Sequence, residues 1–125
     1  MTPEASTANL TRLSAALRDL GARIRTDAAP DGLPFDHDAE SLGGSSVWNL
    51  TTKYGDLDLS FMPSGTQGFE QLDRDGMDID LGGVVVRVAS LEDIVRSKQA
   101  ANRDKDRRVL PALREILANR DLDAN

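Results

Sequence analysis

The chain has 125 residues, a net charge of -6 and no cysteine, which suits one globular domain over residues 1–125 and excludes disulfides, thiolate metal sites and a cysteine nucleophile. A single histidine, His37, excludes a multi-histidine metal centre within one chain, and the acidic balance argues against bulk nucleic-acid binding. No apolar run approaches the ~18 residues of a membrane span, and residues 1–6 lack the basic and apolar regions of a secretory signal, so a cytoplasmic protein is expected.

Leu10, Leu13, Leu17 and Leu20 recur at spacings of three and four and predict a first helix, with Ser6 or Thr7 as its cap and Gly21 after its end. A short strand is expected at Ala22–Thr26. Residues 27–46 carry Pro30, Gly32, Pro34, Gly43 and Gly44 and read as one long irregular loop. Val47–Thr52 and Asp56–Phe61 flank Tyr54-Gly55 and predict a hairpin. In its second strand Leu57, Leu59 and Phe61 share one face, and Asp56, Asp58 and Ser60 share the other. Phe69–Asp73 reads as a helical turn. Met77, Ile79 and Leu81 alternate with Asp78 and Asp80, and Gly82-Gly83 turns the chain back into Val84–Val88, a second hairpin. Ser90-x-x-Asp93 resembles a capping box opening a helix with Leu91, Ile94 and Val95 inward. A last helix covers part of Asp104–Asn119, with Pro111 in its first turn or at a kink, and a frayed tail follows from Arg120. The expected class is α+β: a small mixed, mainly antiparallel sheet with helices packed on it.

Asp56-Leu57-Asp58 is the sharpest chemical pattern. A period of two puts both carboxylates on one face, where they can hold a hard divalent cation such as Mg2+ or simply meet water. Asp78-Ile79-Asp80 has the same form beside a glycine turn, where acids are common. Asp36-His37-Asp38 with Glu40 has plausible ligand types for a loop metal site. Gly43-Gly44-Ser45 offers the backbone amides of a phosphate loop, without the preceding strand such loops need. Between Arg96 and Arg108 six cations face two acids, a local surplus where an anion would settle. Lys98 lies two turns past Leu91, and its head can reach a cleft, whereas Asp106 can cap the last helix or pair with Arg103.

Taken together, Tyr54-Gly55-Asp56-Leu57-Asp58-Leu59, then Pro63-x-Gly65-Thr66-x-Gly68-Phe69-x-x-Leu72, resemble the bacterial nucleotidyltransferase-like family of the polymerase-β-type superfamily. Gly83–Asp93 and Ser97-Lys98-x-Ala100-Ala101-x-Arg103-x-Lys105-Asp106 continue the resemblance, which covers roughly Asn9–Leu117. The resemblance implies a mixed sheet with helices and two metal ions that clamp an NTP. Asp58 matches the third carboxylate of the family, with Asp56 beside it, and both are the candidate catalytic residues and Mg2+ ligands. Lys98 and Asp106 match a C-terminal pocket pair, and Arg103 and Lys105 join them as candidate nucleotide contacts. The family's Gly-Ser and D-x-D strands should precede the first helix, and no such motif lies before it in this sequence.

Two readings follow. In one, the protein transfers a nucleoside monophosphate from an NTP to a hydroxyl of RNA, protein or a small molecule. In the other it is a non-catalytic module of a toxin–antitoxin-like pair, with a sheet edge open to a second copy or another protein. A third, a nucleic-acid binder using the basic patch, ranks last because one Trp, one Tyr and three Phe leave few stacking platforms.

Overall fold

The computed structural model describes residues 1–123, and the fold is α+β. Its contacts gather into two compact units, Met1–Met62 and the chain from Pro63 onward. Every strand pair among the described residues is antiparallel. No described helix is long and apolar enough to cross a membrane.

The first unit opens with α1 (Thr7–Asp19), capped by Ser6, whose side chain accepts from Asn9 N. Strands β1 (Arg23–Thr26), β2 (Ala29–Leu33), β3 (Val47–Thr52) and β4 (Gly55–Ser60) form a sheet in the order β2-β1-β3-β4. The β3–β4 register sets Trp48 against Leu59 and Leu50 against Leu57 on one face, and Asn49 against Asp58 and Thr51 against Asp56 on the other. The apolar face carries α1 and the short helix α2 (Ala39–Gly43). Leu17, Leu42, Leu50 and Leu59 are fully buried there, with Leu13, Ile24, Phe35 and Trp48 packed around them. Each such leucine contributes about 1.5–3 kcal/mol by leaving water. Trp48 stacks on Phe35 at 5.8 Å between ring centres and donates from its indole nitrogen to the Leu42 carbonyl, so its one polar atom is satisfied.

Residues 27–46 are not the long loop that their Pro and Gly content suggests; they hold β2 and α2. Glycine explains the first. Gly32 has φ +87°, and a Cβ there would lie 2.5 Å from Arg23 Cβ and 2.9 Å from Thr51 Cγ2. It serves close approach of strands rather than a break. The second is a capping effect: Asp38 accepts from Ser41 N at 2.8 Å and the Ser41 hydroxyl accepts from Asp38 N at 2.9 Å, a reciprocal box formed without Glu or Gln.

The second unit contains α3 (Phe69–Asp75), a hairpin of β5 (Met77–Asp80) and β6 (Val85–Val88), then α4 (Leu91–Ala101) and α5 (Asp104–Asp123). The helical turn expected at Phe69–Asp73 is a seven-residue helix. Asn102, in the left-handed conformation with φ 50°, ends α4 and turns the chain into α5. Pro111 sits well inside α5 rather than in its first turn, so the amide it lacks is one the helix would otherwise use. The helix continues through the expected fraying point at Arg120 as far as Asp123; residues 124 and 125 lie outside the described residues. Among the described residues Val95 and Leu110 are the buried aliphatics here, a thinner core than that of the first unit.

Candidate functional site

Asp56 and Asp58 share the polar face of β4, as their spacing requires. Arg25 of β1 reaches across β3 to both. Its Nη1 lies 3.1 Å from Asp56 Oδ2, and its Nη2 lies 2.9 Å from Asp58 Oδ1. Nη1 also donates to the Leu50 carbonyl at 2.9 Å. Partial burial works against the Arg25 charge, but its hydrogen bond to Asp58 and the charges of both acids outweigh it and raise its pKa. Arg25 is the residue that the sequence reading missed. The signal was there: Arg23 and Arg25 flank Ile24, so in a strand they take the face opposite the core.

The two-metal arrangement implied by the family resemblance does not fit this donor set. Both carboxylates already face one guanidinium, and among the described residues no group of three or more His, Asp or Glu is placed to hold a cation. The acids of residues 36–40 form no such group either. There Asp38 caps α2, its carboxyl held below the usual carboxylate range by the Ser41 amide. His37 turns inward instead. Gly43 and Gly44 end α2, and the Ser45 hydroxyl donates to the Val47 carbonyl, so these residues form a helix exit rather than a phosphate loop.

In the second unit Lys98, Arg103 and Asp106 come together. Asp106 is wholly buried and accepts from Arg103 N at 3.1 Å and Arg103 Nε at 2.7 Å, while Lys98 Nζ lies 3.7 Å away. The Arg103 hydrogen bond holds the Asp106 carboxyl below its ordinary range despite burial. Lys105 is not part of this cluster. It is exposed and makes no ion pair among the described residues. Much of the basic surplus is spent locally: Arg96 pairs with Asp93 and Arg107 with Asp104. Asp93 is also buried. Its amide donates to Ser90 Oγ as the capping signal predicts, but its carboxylate is turned to Gln71 and Arg96, and its second oxygen has no hydrogen-bond partner among the described residues. In the hairpin, Asp78 meets Arg87 across the strands and Asp80 accepts from Gly83 N at 2.7 Å in the turn, so both acids serve the hairpin.

No family model, no curated protein and no solved structure matches the chain.

A buried polar pair lies elsewhere in the first unit. Ser14 Oγ is 2.7 Å from His37 Nδ1, and Arg18 donates to the His37 carbonyl at 2.6 Å. Burial, then the nearby Arg18 charge, lowers the His37 pKa against the weaker pull of Asp36 and Asp38. The unfolded chain therefore binds the proton first as pH falls below about 6.5, and stability drops from there through the folded-state value. The urea midpoint is expected to hold above neutrality and to fall in mildly acidic buffer. His37→Asn, which does not titrate, should flatten that slope; an unchanged slope would place its origin elsewhere.

Proposed function

We propose that the chain is a non-catalytic, partner-binding module of nucleotidyltransferase-like type, in which Asp56 and Asp58 brace the sheet instead of holding magnesium. The observation that carries this reading is the Arg25 guanidinium between the two carboxylates. A divalent cation would have to displace a group that also satisfies the Leu50 carbonyl, and the displaced cation would then repel it. The engagement of Lys98 and Arg103 with buried Asp106 supports the same view, because a triphosphate would compete with a carboxylate already in place. The family resemblance supplies the class of partner: a second copy, or the other member of a toxin–antitoxin-like pair.

The test is a thermal-shift titration with each NTP, with and without Mg2+ or Mn2+, on wild type and Asp58→Asn. A ligand of the native state raises the midpoint by mass action. The midpoint is expected to stay put with every combination. A metal-dependent rise with one NTP, absent from Asp58→Asn, would overturn this reading in favour of nucleotidyl transfer to a hydroxyl acceptor.

A further inference from the structure

Among the described residues the β5–β6 hairpin is a two-stranded sheet with no third strand beside it. Such ribbons are marginal on their own in water. Its register pairs Met77 with Val88 and Ile79 with Val86, so Met77, Ile79, Val86 and Val88 line one face, with Leu81 and Val84 at its tip. Val86 and Val88 are half-buried, whereas Leu81 and Val84 are each 64 % exposed. Along β6, exposure of this face therefore grows from the base toward the tip, while on β5 Met77 and Ile79 are both exposed.

The two edges differ in what they permit. Antiparallel pairing of β5 with its own copy would bring Asp78 and Asp80 opposite themselves or each other, and like charges directly across a ladder are destabilising. The β6 edge reads Val84-Val85-Val86-Arg87-Val88, β-branched throughout except for one residue, with no proline, lysine or acid to blunt it. Arg87 is neutralised within its own unit by Asp73 and Asp78. Backbone alternation completes the case. Leu81 N donates to the Val84 carbonyl, so Val84, Val86 and Val88 turn their amides and carbonyls toward β5, and those of Val85 and Arg87 point outward.

We propose that two copies of this chain join through β6, antiparallel, with Val86 on the two-fold axis. Val85 of one copy then exchanges two hydrogen bonds with Arg87 of its partner, and the reverse, so no arginine faces an arginine. Val84 at one tip comes opposite Val88 at the other base, and the exposed end of each hairpin gains a covered neighbour. The contact is isologous and closes at two. It deepens the binding-module reading by naming the partner as a second copy.

The absence of native cysteine makes the test clean. Residues facing across a non-hydrogen-bonded pair have Cα atoms about 4.5 Å apart, within disulfide reach. Wild type is expected to scatter light as twice the 13.5 kDa chain across the micromolar range. Val86→Cys should cross-link nearly completely on mild oxidation. Ile79→Cys, on the same face of the other strand, should stay uncross-linked. Val85→Pro removes an outward amide without touching a hairpin hydrogen bond, and should give a folded monomer by circular dichroism. A monomeric wild type, equal cross-linking at position 79, or a Val85→Pro dimer would each overturn the pairing. A cross-linking dimer that also showed a metal-dependent NTP shift would overturn the non-catalytic reading alone, and a monomer without that shift would overturn the pairing alone.

Discussion

Leu50→Ala is expected to lower the stability of the first unit by about 3 kcal/mol, within the 2–5 kcal/mol typical of a buried leucine truncated to alanine. Leu50 is fully buried on β3, between β1 and β4, and packs with Leu17, Leu42 and Leu59 from both helices and the neighbouring strand. Its loss leaves a cavity that three separate elements would have to move to fill. The measurement is a urea midpoint at constant slope. Val47→Ala, on the same strand but half-exposed on the opposite face, is the control and should cost under about 0.5 kcal/mol. Equal losses at the two positions would mean that the leucine cluster is not the core.

Asp106→Ala should open the corner between α4 and α5 and lower the melting temperature well beyond the effect of Asp104→Ala. Asp106 is buried and answers the Arg103 amide, the Arg103 side chain and Lys98; Asp104 is exposed and meets Arg107 alone. Removing Asp106 strands an amide at the helix start and leaves two cations facing each other. The same carboxylate gives acid sensitivity. Its folded-state pKa lies below its unfolded value, so its contribution is present above the usual carboxylate range and is lost as pH falls through the folded value. Asp106→Ala should therefore unfold with a shallower dependence on pH at the acid end. If Asp104→Ala matched it in midpoint and slope, the corner would not depend on the buried group.

The parts of the fold that alternate or repeat were readable. The spacing of Leu10, Leu13 and Leu17 marks α1, and Leu57 and Leu59 against Asp56 and Asp58 mark β4 with both of its faces. Residues 27–46 were not, because their signals are short and their meaning depends on tertiary partners. Gly32 looks like a breaker until Arg23 and Thr51 are seen to crowd it, and Asp38 looks like a ligand until Ser41 is seen above it. The candidate site divided along the same line. Spacing alone placed Asp56 and Asp58 on one face, and local charge order suggested the Arg103–Asp106 pair. The partner that neutralises the two strand acids lies 31 and 33 residues earlier, on a strand that is not their immediate neighbour. No pattern within a short window reports a contact that skips a strand.

That skipped strand gives Arg25 a role during folding. Its grip on Asp56 and Asp58 requires β1 to be aligned on β3 and β3 on β4 at once. A slip of one residue at β4 would turn both acids into the leucine layer and carry Leu57 and Leu59 to water. The two carboxylates would then be buried without a partner, and the guanidinium would lose both of its acids. One long side chain thus checks two alignments together, and it penalises mispaired sheets that the apolar contacts alone would tolerate.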